Sequence, residues 1–230
     1  IETIKDPRGN TASYQYDVNN NLKQTTSPAP FNYLTKYTYD PNGNLASRKD
    51  KSTNETTTYI YDADNQLIRI DLPGGTFALY SYDGLGRRIQ KIANGITARY
   101  IYDNEDILFE YDSSNQVQAK YTHGPGIDEP LIMQRGPGSY FYHTDGLGSV
   151  IALTDSNRLI KNSYTYDSFG GIMQETSSLI NPYTYTGREY DAESGLYYYR
   201  ARYYDPTIGR FLQEDPVRSV NLYSYCANDP

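Results

Sequence analysis

The sequence predicts an all-β fold, in which β-hairpins follow one another as a meander that coils into a spiral, hollow, barrel-like shell or a part of one. Three observations predict it. A Tyr-x-Tyr-Asp motif recurs along the chain, few stretches show the 3.6-residue period of a helix, and 12 prolines and 18 glycines are spread throughout. The aspartates of the first five copies lie 23, 22, 21 and 20 residues apart, an interval typical of a repeat array.

Each copy of the motif supplies the end of one strand and the start of a turn. Tyrosines at positions i and i+2 project from the same face of an extended chain, and tyrosine favours strands. The aspartate starts a turn, because its carboxylate accepts hydrogen bonds from nearby backbone N–H groups. An aliphatic residue begins the next strand at Leu22, Leu45, Leu67 and, after a basic pair, Ile89. The six copies are Tyr14, Tyr16 and Asp17; Tyr37, Tyr39 and Asp40; Tyr59, Tyr61 and Asp62; Tyr80, Tyr82 and Asp83; Tyr100, Tyr102 and Asp103; and Tyr164, Tyr166 and Asp167.

Composition constrains the interior and the partners. Tyrosine accounts for 27 of the 230 residues and the mean hydropathy is −0.74, so we expect tyrosine rungs on one face around a wet interior rather than a dry aliphatic core. The formal charge of −7 disfavours a nucleic-acid partner. The single cysteine, Cys226, cannot form an internal disulfide. No apolar run approaches the roughly 18 residues of a membrane span.

The chain divides into three zones that we expect to form one continuous structural unit. Residues 1–121 carry regular repeats, residues 122–139 form a bridging repeat rich in glycine and proline, and residues 140–230 carry longer and less generic motifs. Residue 1 precedes a turn-rich segment that leads directly into a repeat. We therefore expect this chain to be an excerpt of a longer protein.

The last zone contains a long and specific pattern, because residues 195–216 read GLYYYRARYYDPTIGRFLQEDP. With this segment the chain resembles the RHS or YD-repeat proteins over essentially its whole length. Residues 1–121 resemble their YD repeats, and residues 140–230 resemble their RHS repeat-associated core domain. The positions of the core motif are Gly195, Leu196, Tyr197, Tyr198, Arg200, Arg202, Tyr203, Asp205, Pro206, Gly209, Arg210, Phe211, Asp215 and Pro216.

The resemblance implies a spiral of β-strands that forms a hollow cocoon. In bacterial members this shell encloses a C-terminal toxin or effector segment, which is released by self-cleavage just after the core domain. The implied partner is therefore the protein's own C-terminal polypeptide, and the implied location is secreted or at the cell surface, with delivery by a secretion system as one route. Other members act in insecticidal toxin complexes and as the barrel of teneurin adhesion receptors.

The family's self-cleavage is attributed to an aspartyl-protease-like arrangement near an Asp-Pro-x-Gly-Leu motif. This chain stops at residues 228–230, which resemble a position a few residues before that motif, so the motif's aspartate lies outside the sequence. Asp215, with Arg210 nearby, is the expected contribution of this segment to cleavage in the full-length protein. Asp205 is the other candidate carboxylate. Both aspartates precede proline, which favours a role in turns, and the segment alone is not expected to be an enzyme.

No cofactor or metal site is expected. Asp17-x-Asn19-x-Asn21 imitates the first half of a calcium loop but lacks the glycine at the sixth position and the glutamate at the twelfth. His123 and His143 have no cysteine partners for zinc, so both are interpreted as packing residues.

Arginine and tyrosine alternate between Tyr197 and Tyr204, a stretch that we interpret as one strand. Such interleaving can bind single-stranded nucleic acid by stacking. Several carboxylates lie close in sequence and can neutralise Arg200 and Arg202. The sequence therefore favours a structural role for this stretch.

Four functions stay open at this point. The leading one is a shell segment that walls off a cargo polypeptide. A second is a surface adhesion or glycan-binding array, in which outward tyrosines stack on sugar rings and repetition adds avidity. A third is assembly of identical chains into a filament through strand edges, and a fourth is autoproteolysis by the full-length protein. Tyrosine rungs that point inward favour enclosure, whereas rungs that point outward favour glycan contact.

Overall fold

The computed structural model describes residues 2–6, 8–217 and 221–226. Within these ranges the chain forms 21 strands and two three-residue 3-10 helices, Pro73–Gly75 and Tyr185–Gly187. This confirms the prediction of a nearly all-β fold. The Asn-Asp-Pro sequence at residues 228–230, which bears on the predicted cleavage motif, lies outside the described residues.

Seventeen strands form the main sheet and four short strands form a second one. The main sheet contains β1 (Glu2–Lys5), β2 (Thr11–Tyr16), β3 (Leu22–Thr26), β4 (Leu34–Tyr39), β5 (Leu45–Asp50), β6 (Thr56–Tyr61), β7 (Leu67–Asp71), β8 (Phe77–Tyr82), β9 (Arg88–Ala93), β10 (Ile96–Asp103), β11 (Asp106–Tyr111), β12 (Val117–His123), β13 (Pro130–Arg135), β14 (Gly138–Thr144), β15 (Val150–Asp155), β16 (Ile160–Tyr166) and β17 (Ile172–Ser177). The second sheet contains β18 (Glu189–Asp191), β19 (Leu196–Tyr198), β20 (Tyr203–Asp205) and β21 (Arg210–Phe211).

The main sheet is the predicted meander, in which sequence neighbours pair antiparallel from β1 to β17. In all six motif copies the register shifts between the middle residue and the second tyrosine. A β-bulge of this kind bends its strand and increases the local twist. The motif thus contributes curvature as well as strand and turn residues.

The sheet curves far enough to bring its first and last hairpins to one place. Arg210 Nη2 donates a hydrogen bond of 2.9 Å to the carbonyl oxygen of Asn20, in the turn between β2 and β3. The neighbouring Gly209 lies against the ring of Phe169, in the turn between β16 and β17. Both hairpins therefore flank the same short segment, and the concave face of the sheet is the inside of a coil.

The tyrosine pairs line this concave face. Tyr37, Tyr59 and Tyr80 are only 4–7% exposed, whereas the residues between paired tyrosines point outward, as Ile60 and Ile101 do at 44% and 51% exposure. Side chains two apart on a strand share a face, and the residue between them takes the other face. The rungs therefore point inward.

The second tyrosine of a pair also bonds to the preceding hairpin. Its hydroxyl donates to the main-chain carbonyl oxygen of the residue five positions after the aspartate of the preceding turn. The bonds are Tyr61 to Leu45 at 3.0 Å, Tyr82 to Leu67 at 2.7 Å, Tyr102 to Arg88 at 2.8 Å and Tyr166 to Val150 at 2.6 Å. Each of these hydroxyls is thereby satisfied inside the coil, as a covered tyrosine requires.

The motif aspartate organises the turn through its carboxylate. Asp62 Oδ1 accepts the N–H groups of Asp64 and Gln66 at 3.0 and 2.8 Å, and Asn65 between them has a left-handed φ of 62°. Asp17 holds the calcium-like sequence in the same way, accepting from residues 19 and 21. These carboxylate oxygens are therefore turn acceptors in the part of the chain that the structure describes.

Asp103 is the exception among the motif aspartates. The turn from β10 to β11 contains only residues 104 and 105, and Asp103 pairs directly with Asp106 in the ladder. Its carboxylate accepts a side-chain hydrogen bond from Asn104 Nδ2 at 3.2 Å. The 20-residue interval that precedes this copy is the shortest because β9 and β10 are joined by only residues 94 and 95.

The interpretation of residues 197–204 as one strand is wrong. Strand β19 ends at Tyr198 and β20 begins at Tyr203, and the Tyr199 N–H donates to the Arg202 carbonyl oxygen at 2.8 Å to close a tight hairpin. Arg200 at its tip has a left-handed φ of 59°. Sequence alternation alone did not reveal this turn, because neither glycine nor asparagine occupies the left-handed position.

Residues 178–217 and 221–226, called the end segment below, contain the second sheet and lie against the concave face. They cover the end of the coil that carries the motif turns. The Leu45 N–H, for example, donates to the Leu212 carbonyl oxygen at 2.8 Å. This end of the coil is therefore filled by protein. The predicted zone limits at residues 121 and 139 stay predictions, since the main sheet runs through both positions.

Asp62→Ala removes the acceptor of two backbone N–H groups. We expect the free energy of unfolding to fall by about 1.5–3 kcal/mol, the range for hydrogen bonds to a charged group, measured by urea denaturation. Asp103→Ala is the matched control, because that carboxylate accepts no turn N–H group in the described structure, and it should change stability by no more than about 0.5 kcal/mol. Equal losses would contradict the assigned role of the turn carboxylate.

Alkaline pH is expected to unfold the protein steeply. Burial raises the pKa of tyrosines on the concave face and in the end segment above the ordinary value of 10.0, to about 12 for Tyr185 and Tyr199. Because the folded-state pKa exceeds the unfolded one, this stabilisation is complete below pH 10 and is lost as pH rises through the folded-state values. Most of the tyrosinate absorbance and the loss of the β-sheet circular dichroism should therefore appear together. Ionisation of all the tyrosines near pH 10 while the sheet stays intact would contradict the burial.

Candidate functional site at the seam between sheet and end segment

Arg88 is the centre of the seam between the main sheet and the end segment. It is 1% exposed and occupies the position, five residues after a turn aspartate, where other hairpins carry Leu22, Leu45 or Leu67. Ile89 was predicted for this role, and that prediction is wrong. Ile89 is 37% exposed, because strand alternation turns it to the outer face once Arg88 faces inward.

Two carboxylates of β18 hold the Arg88 guanidinium. Nη1 lies 2.5 Å from Asp191 Oδ2 and Nη2 lies 2.6 Å from Glu189 Oε2. Burial acts to lower the pKa of Arg88, but Asp191 and Glu189 outweigh it and raise that pKa well above its usual value. The arginine therefore stays charged inside the protein.

Four tyrosine rings surround the same guanidinium. Its central carbon lies 4.5 Å from the ring centroid of Tyr198, 5.4 Å from Tyr80, 5.7 Å from Tyr100 and 5.9 Å from Tyr203. Two of these rings belong to the sheet and two to the end segment. Cation–π attraction of this kind reaches about 2 kcal/mol when the site is desolvated, so the cage adds to the ion pairs.

Lys91 extends the network on the sheet side. Its Nζ lies 2.8 Å from Asp191 Oδ1 and 3.1 Å from Glu193 Oε1. Burial acts to raise the pKa of Asp191, but Arg88 and Lys91 together hold it below the ordinary 3.8. Asp191 is therefore ionised at neutral pH and bridges two cations of the sheet.

A second ion cluster crosses the seam with the charges exchanged. Here the sheet side supplies the carboxylate and the end segment supplies the arginines. Asp128, in the loop between β12 and β13, lies 2.7 Å from Arg188 Nη2 and 2.8 Å from Arg200 Nη2 of the end segment. Arg200 Nε also lies 2.9 Å from Glu105 Oε2. The predicted neutralisation of Arg200 thus comes from carboxylates distant in sequence. Burial raises the pKa of Asp128 despite both arginines.

The two predicted catalytic residues, Asp215 and Arg210, have different partners in the described structure. Asp215 Oδ2 pairs with Arg202 Nη2 at 2.7 Å, whereas Arg210 lies over the rings of Tyr16 and Tyr223 at 5.1 and 5.3 Å. The structure therefore assigns both side chains to holding the end segment. A role of Asp215 and Arg210 in self-cleavage of the full-length protein stays a prediction.

Asp205, the other candidate carboxylate, opens a turn as its proline context predicts. Its Oδ1 accepts the Thr207 N–H at 2.8 Å, and its Oδ2 lies 3.6 Å from Arg48 Nη1. This contact places Asp205 of the end segment against β5 of the sheet. It is a third charged contact across the seam.

His123 packs as the sequence indicated, whereas His143 is exposed, so the packing prediction is wrong for His143. His123 Nε2 lies 3.1 Å from the Ile107 carbonyl oxygen, and its ring meets Tyr183 edge-on at 5.5 Å. His143 Nε2 lies 2.9 Å from Thr154 Oγ1. In residues 2–6, 8–217 and 221–226, no group of three or more histidine, cysteine or acidic side chains is placed to hold a metal ion, and no helix is long and apolar enough to cross a membrane.

Sequence reasoning missed the seam. Arg88 and Asp191 lie 103 residues apart, and neither belongs to the Tyr-x-Tyr-Asp motif. One signal could have found Arg88, namely a charged residue at a position that other repeats fill with leucine. Such a substitution inside an inward-facing row indicates a buried partner of opposite charge.

A coiled antiparallel meander with an inward tyrosine face, sealed at one end by its own chain, defines a repeat shell protein. The chain matches the teneurin YD-shell family over residues 10–230. It belongs to that family, and the predicted resemblance to RHS and YD-repeat proteins is confirmed.

Several known proteins are similar to this chain. The tRNA nuclease WapA of Bacillus subtilis (strain 168) is 34% identical over 244 residues, which covers 100% of this chain and 10% of that protein. The toxin protein Tse5 of Pseudomonas aeruginosa is 27% identical over 244 residues, covering 85% of this chain and 18% of that protein. The chain thus spans less than a fifth of either relative.

Among solved structures, the Photorhabdus luminescens Tc holotoxin pore matches 99% of this chain and 16% of its own matched chain, with a TM-score of 0.62 and 20% identity. This likeness concerns the fold.

Arg88→Met leaves Asp191 and Glu189 buried without their main cation. We expect a loss of about 3–5 kcal/mol in the free energy of unfolding, measured by urea denaturation. Arg69→Met is the control, because the Arg69–Asp71 pair lies on the outer face with both side chains 39–40% exposed, and it should cost less than about 1 kcal/mol. The triple variant Arg88→Met, Glu189→Gln, Asp191→Asn should recover part of the loss. No recovery would contradict uncompensated charge as the cause.

Proposed function

We propose that this chain is a wall and end-cap segment of a shell that encloses a polypeptide. The inward direction of the tyrosine rungs is the observation that carries the proposal. A strand face that pointed these rings at solvent would suit stacking on sugar rings, whereas here Tyr37, Tyr59 and Tyr80 are buried. The glycan-binding alternative required tyrosine rings that point outward, and these rings point inward.

The chemistry of the concave face suits a varied cargo. Tyrosine presents an apolar ring and a polar hydroxyl, so it tolerates apolar and polar segments alike. Several of these hydroxyls are already bonded to the sheet's own carbonyl oxygens. These four hydroxyls therefore add no unsatisfied donor that would select one sequence.

The proposed cargo is the C-terminal polypeptide of the full-length protein, and the proposed location is secreted or at the cell surface. Relatives that share this segment carry names for different activities, a tRNA nuclease and a toxin. A segment common to proteins of unlike activity suits a container better than a catalyst. Self-cleavage after the core belongs to the same proposal and requires residues outside this chain.

A second candidate is addition of a further strand to the sheet, from the same protein or from an identical chain. Strand β1 is exposed along its length, and β17 is exposed from residue 173 to residue 177. An exposed edge strand is a template for pairing. Such pairing extends a wall and is compatible with enclosure.

Proteolysis of the full-length protein tests enclosure. We expect the polypeptide that follows the shell to survive proteinase K under native conditions and to be cut after unfolding in urea. Arg88→Met, which loosens the end cap, should speed cutting by at least about tenfold relative to Arg69→Met, because protease attack follows the population of opened states. A C-terminal polypeptide cut equally fast before and after unfolding would overturn the proposal.

A further inference from the structure

The dipeptide Asn-Gly occurs twice in the chain, at residues 42–43 and at residues 94–95. Glycine has no side chain to shield its main-chain nitrogen, so this nitrogen can attack the side-chain amide carbon, Cγ, of the asparagine before it. The attack releases ammonia and leaves a cyclic succinimide. In a folded protein it depends on how freely the asparagine side chain and the glycine N–H can move.

The first dipeptide is held at both of its reacting groups. Asn42 Nδ2 donates to Asn65 Oδ1 at 3.0 Å, and the Gly43 N–H donates to the Asp40 carbonyl oxygen at 3.1 Å. The Gly43 carbonyl oxygen also accepts a hydrogen bond of 2.6 Å from the Tyr223 hydroxyl. Attack at this dipeptide therefore requires the bonds of Asn42 Nδ2 and of the Gly43 N–H to break first.

The second dipeptide is free at both groups. Asn94 and Gly95 form the turn that joins β9 to β10, and both residues are exposed. Neither the Asn94 side-chain amide nor the Gly95 N–H has a hydrogen-bond partner among the described residues. A Cβ atom built at Gly95 would meet nothing within 4 Å. The same two residue types thus lie in two contrasting environments in one chain.

The turn between β9 and β10 itself requires this dipeptide. Ala93 pairs with Ile96 in the ladder, so only two residues lie between the strands. Both have left-handed φ angles, 52° for Asn94 and 76° for Gly95. Two-residue hairpin turns of this kind favour Asn-Gly because both central residues must adopt a positive φ. The geometry that closes the hairpin therefore places a reactive dipeptide at an exposed tip.

We propose that Asn94 is a site of spontaneous deamidation that loosens the β9–β10 hairpin. The Gly95 nitrogen loses its proton to solvent base and bonds to Asn94 Cγ, and the side-chain nitrogen leaves as ammonia after taking a proton from water. Water then opens the ring. Cleavage between Cγ and the Gly95 nitrogen gives aspartate, whereas cleavage between the main-chain carbonyl carbon and that nitrogen gives isoaspartate. The only co-reactant is water.

Isoaspartate changes the backbone of the turn, because the main chain then runs through the side-chain methylene group and a carboxylate branches from it. A two-residue turn has a defined backbone path, so the longer chain disturbs the pairing of Ala93 with Ile96. Strand β9 also carries Arg88 and Lys91, whose ion pairs hold the end segment. Deamidation therefore weakens one strand of the seam as the protein ages. This inference is independent of enclosure, because it requires only the hairpin and water.

Peptide mapping by mass spectrometry tests the proposal on the whole chain, which is incubated in mildly alkaline buffer below the pH at which its tyrosines ionise. We expect Asn94 to be converted at least about tenfold faster than Asn42, because hydrogen bonds restrain both reacting groups at residues 42–43. In urea that unfolds the chain, the two rates should become similar. An Asn94 rate that is equal to or below the Asn42 rate in the folded protein, or a rate ratio that persists in urea, would overturn the proposal.

The variant Asn94→Asp separates the added charge from the altered backbone. It carries the carboxylate of one product on an ordinary main chain, so it should fold with the same circular dichroism as the fresh protein. Both proteins are incubated in parallel, and labelling by an isoaspartate methyltransferase measures the isoaspartate formed. We expect the aged unmodified sequence to unfold at a lower urea concentration than the aged variant. Equal midpoints at a high isoaspartate content would contradict the loosening of the hairpin.

Discussion

The coil depends on how an inward-facing tyrosine satisfies its hydroxyl. Tyr61 donates to the carbonyl oxygen of Leu45, a residue that pairs with Tyr39 next to the bulge of the preceding hairpin. A bulge interrupts the strand ladder, and the hydroxyl of the following repeat completes the bonding there. One hairpin alone lacks this partner. The motif is therefore stable as an array, in which each repeat completes its predecessor.

Charge gives the seam its specificity. A buried ion pair adds little net stability compared with apolar packing, but any arrangement that separates the partners leaves an unpaired buried charge and is costly. Arg88 requires carboxylates at positions 189 and 191 of the chain, while Asp128 requires Arg188 and Arg200. In the first cluster the sheet supplies the cation, and in the second it supplies the carboxylate. An end segment that is shifted or inverted would therefore place like charges next to each other. The two ion clusters thus favour one position and orientation of the end segment against the sheet.

Local features of the fold were predictable from the sequence, and distant contacts were not. The hairpins follow from short-range chemistry: tyrosines at i and i+2 choose a face, and Asp62 bonds to N–H groups two and four residues on. The seam joins residues about 100 positions apart, which no local pattern encodes. Arg88 was overlooked because the prediction required an aliphatic residue at the start of the strand, and Ile89 is the first one after the basic pair. The hairpin at Tyr199 was overlooked because Arg200 takes a backbone conformation that glycine or asparagine usually fills.

The bond between Arg210 and Asn20 joins groups 190 residues apart in the chain, and this separation sets an order of assembly. Hairpins made from neighbouring strands form early, whereas contacts between distant residues must wait for the intervening chain. During synthesis the N-terminal hairpins appear first. The end segment can pack into its final position only after the hairpins from β2 to β17 have formed. Its packing therefore indicates that the coil of hairpins is complete.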